Sequence, residues 1–266
     1  MHAGLQRDKP RTWCALAASG VLGACASAAP AEHAELDPGL DPTVLHSRVK
    51  LTNEFIDRDF GISKNTTTLN LAYAFGNVAR RDWTVQIDLP LVAYRAGDQA
   101  GPPDATGIGD VEMRIAHVVD GEGIFRWALG VETQLNTAAQ SQLGDGVFRL
   151  SPLLAFAVEP CRAFKFQTAA QFDQSLTREA AVREQQDFKV KPALHFNLPD
   201  NFYAYVESEL KWDLHDDDKF SAKLKFEIGR GFGTRGEWVL SARYEMPLTE
   251  SHDQHTFVAG CSYVFP

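Results

Sequence analysis

The chain has 266 residues and a formal net charge of −9, enough for one large domain and an acidic balance that excludes a general nucleic-acid surface. It carries no basic run with interleaved aromatics of the kind nucleic-acid binders use. Beyond the N-terminus no stretch of about 18 to 20 apolar residues occurs, so a helical membrane span is not expected. That exclusion does not reach β structure, since a membrane-crossing strand needs only about 10 residues with every second one apolar.

Residues 1–31 place Lys9 and Arg11 before a modest apolar run from Trp13 to Ala24 and a small-residue tract, the layout of a bacterial export signal. Two cuts compete between Cys25 and Ala31. Ala26-Ser27-Ala28 suits the ordinary signal peptidase, and Leu22-Gly23-Ala24-Cys25 resembles a lipobox, which would leave Cys25 lipidated. The ordinary cut is preferred, because a single acyl chain adds little to a body already held in the membrane by its own strands. Residues 32–44, with Pro38 and Pro42, are expected to form a short periplasmic lead-in, and residues 45–266 the body.

From residue 45 apolar and polar residues alternate with a period of two, in twelve segments of about 9 to 12 residues bounded by turn signals. The first sets Val49, Leu51 and Phe55 against Arg48, Lys50, Thr52 and Glu54. The second sets Leu69, Leu71, Tyr73 and Phe75 against Thr68, Asn70 and Ala72, and the third sets Trp83, Val85, Ile87 and Leu89 against Thr84, Gln86 and Asp88. Val111, Met113 and Ile115 oppose Asp110, Glu112 and Arg114 in the fourth, and eight more segments follow the same rule.

Tight links such as Asp120-Gly121-Glu122-Gly123 and Pro199-Asp200-Asn201 alternate with longer polar ones near 57–65, 95–107, 136–146 and 173–186. Those at 215–218 and 249–254 are shorter but acidic. One or two helical turns are expected within 173–186, from Ser175 or Thr177. An even strand count closes a sheet and removes its edges, as lipid demands. The expected fold is therefore all-β, a single closed antiparallel transmembrane β-barrel of about twelve strands, with both termini periplasmic and longer loops outside. The aromatics Phe75, Trp83, Tyr94, Trp127, Trp212 and Trp238 lie at strand ends, where interfacial girdles form. A secreted β-sandwich or lipocalin-like cup also alternates, but the strand count, the aromatics and the loop asymmetry favour the membrane. Cys161 in a tight turn and Cys261 on the outward face of the last strand are expected to be unpaired.

The last residues, VAGCSYVFP at 258–266, put Phe265, Tyr263, Cys261, Ala259 and Phe257 on one face and Ser262 and Gly260 on the other. Gly260, Tyr263 and Phe265 resemble the C-terminal assembly signal of outer-membrane barrels, although Pro266 follows the Phe. The resemblance implies that the barrel-assembly machinery is a partner, beside outer-membrane lipid.

TLNLAYAFG at 68–76, DWTVQIDLPLV at 82–92 and TGIGDVEMRIAHVV at 106–119 resemble the outer-membrane family named for the meta-pathway of phenol degradation. The landmark is Thr106-Gly107-Ile108-Gly109-Asp110, and the likeness covers most of residues 45–265. It implies an outer-membrane barrel of transport function, linked to uptake of aromatic or other small compounds, and it supplies no catalytic site.

With the apolar faces on lipid, the alternate residues line the lumen. Lys189, Lys191 and His195 point inward from one segment. Tyr203, Tyr205, Glu207, Glu209 and Lys211 do so from the next, and Lys223, Lys225 and Glu227 from a third. Asp110, Glu112, Arg114, Arg126, Glu132, Arg149 and Arg243 continue the lining. Such a surface is either a conduit that selects solutes by charge and size or an internal lattice of paired charge. The acidic loops His215-Asp216-Asp217-Asp218 and His252-Asp253-Gln254-His255 are expected to be solvated, with no metal bound. His117 and His195 have no serine placed to form a nucleophile-base pair, so hydrolysis ranks low. The expected function is a passive channel or transporter for a small solute, without cofactor; the alternative is a structural or surface-binding barrel without an open pore.

Overall fold

The computed structural model describes residues 40–58, 61–76, 82–97, 103–120, 124–178, 182, 184–215, 219–234, 236–249 and 253–265. The export signal, its cut and Cys25 lie outside them. The alternating segments form thirteen antiparallel strands: β1 (Arg48–Arg58), β2 (Ser63–Phe75), β3 (Trp83–Arg95), β4 (Ala105–Ile108), β5 (Val111–Asp120), β6 (Phe125–Leu135), β7 (Val147–Cys161), β8 (Phe164–Arg178), β9 (Gln186–Asn197), β10 (Phe202–Asp213), β11 (Lys219–Phe232), β12 (Trp238–Pro247) and β13 (Asp253–Val264). Both β4 and β5 pair with β3, Ile108 opposite Leu91 and Glu112 opposite Asp88. They are two halves of one spanning strand, interrupted at Gly109-Asp110, and Gly109 N–H keeps a 2.9 Å bond to the Pro90 carbonyl across the break.

Closure is made by β1, which pairs with β2 on one side and with β13 on the other, Arg48 facing Val264 and Phe55 facing Phe257. Each of the twelve spanning strands, with β4 and β5 taken as one, then has two neighbours, giving a closed twelve-strand antiparallel barrel. Period two fixes what faces where. Leu51, Tyr73, Leu91, Trp127, Leu129, Ile228, Trp238, Leu240 and Phe257 stand exposed on the outside, while Asn70, Glu132, Gln171, Asp173, His195 and Glu227 are buried inside. An exposed apolar surface that runs round the whole molecule is stable only against hydrocarbon. At the end that bears the chain termini Trp83 stacks on His117 with centroids 4.4 Å apart, and Trp127 packs on Phe156 at 5.3 Å. At the opposite end Trp212 packs between Phe188 and Phe220.

Four expectations are corrected. Strand β8 runs to Arg178, so Ser175 and Thr177 are extended and begin no helical turn. The ladder between β1 and β2 continues to the pair Asp57 and Ser63, which cuts the link expected at 57–65 to residues 59–62 and weakens the loop asymmetry. Tyr94 joins no girdle: it has the parity of Val92, points inward, and is buried against Leu143. Cys261 is a free thiol, whereas Cys161 is disulfide-bonded rather than unpaired.

The tight link 198–201 turns on Asp200 and Asn201, both with φ of 59°, the left-handed region that Asp and Asn tolerate and hairpin turns require. At the same end of the barrel, the segment before β1 does not hang free. The Leu40 side chain packs among Ala193, Tyr203, Tyr205 and Val239, and its carbonyl accepts a 2.7 Å bond from Gln167 Nε2. Leu40 therefore sits in the end of the lumen, touching β8, β9, β10 and β12.

Candidate functional site

The barrel interior divides into a packed side and an open side. From β8 to β12 the inward charges neutralise one another. Lys189 pairs with Asp173 at 2.5 Å, Lys211 with Asp187 at 2.9 Å, and Lys225 with both Glu207 and Glu209 at 2.8 Å. Arg243 lies 2.9 Å from Glu245 and 3.8 Å from Glu227. Tyr203 and Tyr205 donate their hydroxyls to Glu227 and Glu207, each at 2.6 Å. Lys191 donates to Gln171 Oε1 at 3.2 Å, and Lys223 faces Glu209 across the ladder. His195, 1 % exposed, is packed against the rings of Tyr203 and Tyr205. Removing such groups from water is tolerable because most of these charges meet their opposite, which makes this half of the lumen a filled, rigid lattice.

The lattice continues onto β5 to β7. Arg114 is bonded to Glu132, and Arg149 reaches Glu112 at 3.4 Å and Glu132 at 3.9 Å. Past this belt, on the side of β1, β2, β3 and β5, a cavity of about 540 Å³ remains. Its lining includes Lys50, Thr52, Glu54, Lys64, Thr68 and Asp88 on the strands, with Val92, Pro90, Leu143 and Val258 as apolar contributors.

One wall of that cavity is a loop, residues 136–146, drawn in by Asp110. Its carboxylate accepts the backbone N–H groups of Thr137, Ala138 and Asp145 at 3.0, 3.0 and 2.6 Å, and Gln134 Nε2 at 3.2 Å. Hydrogen bonds to a charged acceptor are worth about 1.5–3 kcal/mol each, so the three from the loop hold it firmly, and the one from Gln134 on β6 fixes the carboxylate itself. The Thr137 hydroxyl adds a bond to the Gly109 carbonyl at 2.9 Å. Leu143 is carried inward to 2 % exposure against Val92, Tyr94 and Ala105.

The glycines of Thr106-Gly107-Ile108-Gly109-Asp110 make room for this. A Cβ on Gly107 would lie 3.0 Å from Leu143 Cδ1, and one on Gly109 would lie 2.9 Å from the Leu143 carbonyl. Alternation marks Asp110 as a lining residue, but strand parity does not show that it seats the loop from Thr137 to Asp145. The signal is there in the paired glycines next to a carboxylate at a strand break.

At the terminal end Asp41, in the lead-in and outside the spanning strands, accepts Arg126 Nη2 and Lys165 Nζ, each at 3.0 Å. Thr43 donates to it through both its N–H, at 2.8 Å, and its hydroxyl, at 2.6 Å. Burial alone would raise the Asp41 carboxyl. The Lys165 ammonium and the Thr43 bonds outweigh that and hold its pKa below the ordinary 3.8. Glu159 shares the Arg126 guanidinium at 2.8 Å.

The remaining candidates fall elsewhere. Gly260 faces the lumen, where a Cβ would come 2.7 Å from Ser241 Oγ; Tyr263 and Phe265 face outward, their rings edge to face at 5.0 Å. Phe265 N–H donates to the Ser47 carbonyl at 2.9 Å, one residue beyond the strand. Of the acidic loops, Asp216, Asp217, Asp218 and His252 lie outside the described residues, and His255 meets the Tyr244 hydroxyl at 2.7 Å. Among the described residues no histidine lines the cavity.

No protein-family model matches the chain, and no curated protein does. Solved structures do match. An outer-membrane channel from Pseudomonas putida F1 superposes with a TM-score of 0.71 at 13 % identity, over 87 % of this chain and 100 % of that one. The NanC porin gives a TM-score of 0.60 at 10 % identity, over 81 % and 98 % of the two chains. The KdgM porin gives 0.57 at 9 % identity, over 82 % and 99 %. At such identities the likeness concerns the backbone, and it is extensive: this chain has the fold of outer-membrane β-barrel channels.

Proposed function

We propose that the chain is a passive outer-membrane channel for a small solute, with both termini periplasmic and the 136–146 loop on the outer side. The observation that carries this reading is the cavity of about 540 Å³, lined mainly by polar side chains, inside a wall whose outer surface is apolar. A purely structural barrel has no need of space within its lattice. The solved channels and porins of the same fold support the reading, and the TGIGD motif and its neighbours support membership of the family named for the meta-pathway of phenol degradation, hence an aromatic or similar small compound as cargo.

The lead-in seated in the terminal end favours one rival, a closed barrel that binds at its surface. Planar-bilayer recording of the purified protein separates the two. The channel reading expects small, discrete conductance steps and swelling of liposomes in small solutes, and neither would be seen for a closed barrel. Catalysis would require a nucleophile activated by a base within the cavity. His195 is instead embedded in the tyrosine side of the lattice, so substituting it is expected to leave no hydrolytic activity to lose.

A further inference from the structure

Most inward cations of this barrel are tied to carboxylates; Lys191 is bonded to the Gln171 amide and Lys64 lies towards Glu54, and Lys50 stands apart from both. It projects from β1 into the cavity, opposite Asn70 on β2 and Ser262 on β13, and among the described residues it makes no ion pair or hydrogen bond. The carboxylates whose charge reaches it, Glu227 and Asp88, are committed elsewhere. Glu227 accepts the Tyr203 hydroxyl and faces Arg243, and Asp88 accepts the amides of Asn70 and Gln86. An ammonium half withdrawn from water and left without a partner is costly. The cost is offset when a mobile anion takes the vacant place.

The surroundings of Lys50 suit the head of such an anion and the far wall suits its body. Thr52 and Thr68, paired across β1 and β2, offer hydroxyls in the same lining. On β13 the absence of a side chain at Gly260 keeps the space open, since a Cβ there would stand 3.6 Å from both Lys50 Cε and Thr52 Cγ2. Val92 and Leu143, brought in by the Asp110-held loop, supply an apolar surface in the same cavity. Glu54, four residues along β1 and so about 13 Å away by strand rise, offsets the charge of Lys64 at the other end of the wall. A volume of about 540 Å³ is in the range of small-molecule sites.

From this we infer that the cavity is a binding site for small organic acids, the carboxylate on the Lys50 ammonium and the apolar body against Val92 and Leu143. The inference rests on the channel reading and narrows it to a class of cargo.

The test uses the full barrel in detergent, with benzoate and hexanoate as probes and benzyl alcohol and hexanol as their uncharged counterparts, measured by calorimetric titration. Both acids are expected to bind at least tenfold more tightly than the matched alcohols. Lys50→Gln should abolish that preference, and Lys50→Arg should restore most of it. Equal binding of acid and alcohol by the native protein, or an undiminished preference in Lys50→Gln, overturns the inference. A heat-modifiable shift on gel electrophoresis shows that each variant is a folded barrel. Planar-bilayer recording on the same samples keeps the two proposals apart. Conductance without acid preference sinks only the Lys50 site, and acid preference without conductance supports the site while sinking the channel.

Discussion

Asp110 accepts the backbone N–H of Asp145 at 2.6 Å across 35 residues of chain, and that bond ties a break in the barrel wall to the loop that narrows the lumen. Replacing Asp110 by Ala leaves the donors of Thr137, Ala138 and Asp145 without their acceptor, at about 1–3 kcal/mol for each that stays buried. The cheaper outcome is for the loop to swing out to water. Asp110→Ala is therefore expected to raise single-channel conductance about twofold or more, with Asp110→Asn showing a smaller rise because one acceptor oxygen survives. Unchanged conductance in Asp110→Ala would mean that other contacts hold the loop.

The opposite end should respond to acid. Because the Asp41 carboxyl is held below 3.8, its contribution to docking of the lead-in is complete above the ordinary carboxylate range and is lost as pH falls through the lowered value. Conductance should then rise as pH drops below about 4. Other carboxylates titrate in that window, and Asp41→Asn isolates the one at issue: the variant should show at pH 7 the raised conductance that the native barrel reaches only in acid. A native-like conductance at pH 7 in Asp41→Asn would show that Leu40 and Gln167 suffice to hold the segment.

How far the barrel was legible in the residues differs from level to level. Inward and outward faces follow from parity alone, and Lys189, Tyr205, Lys225 and Glu227 share the inward parity of their strands. Parity would also have placed Tyr94 with Val92 inside, but its aromatic ring at a strand end suggested the interface. What parity cannot supply is the stagger between strands, and stagger decides who meets whom. Arg149 on β7 reaches Glu112 on β5, two strands away, because the strands are tilted and the lumen is narrow. The split between a packed half and an open half emerges only from those meetings, and parity does not tell the run of inward charges on β9 to β11 apart from Lys50 on β1. Nor does alternation describe a loop or a lead-in that folds inward, since neither has a strand period.

Lys225 illustrates the consequence. In an open conduit its charge would be exposed to passing ions, and reversing it would alter selectivity. Held at 2.8 Å by both Glu207 and Glu209, it is instead a keystone of the lattice. Lys225→Met leaves two facing carboxylates uncompensated, a loss of about 3–5 kcal/mol, visible as a lower urea midpoint in tryptophan fluorescence. Adding Glu207→Gln and Glu209→Gln to the same chain should recover most of it. Lys219→Met, at an exposed position on the same strand, should stay within about 0.5 kcal/mol of the native barrel. Equal effects of Lys225→Met and Lys219→Met would contradict a lattice that bears stability.

The closing strand offers the last test. Phe265 extends the β13 ladder by donating its N–H to the Ser47 carbonyl, and its ring meets Tyr263, which in turn packs on Trp238 at 4.9 Å. The hydrogen bond crosses the seam between the first and last strands, while the ring contacts brace the end of β13 against β12. Removing Phe265 and Pro266 together costs the seam its final hydrogen bond and β13 its last aromatic contact, and should leave little heat-modifiable barrel in the outer-membrane fraction. Removing Pro266 alone keeps every one of these contacts and should leave that amount nearly unchanged. The reverse pattern, with Pro266 needed and Phe265 dispensable, would take the assembly role away from the aromatic residue and give it to the terminus itself.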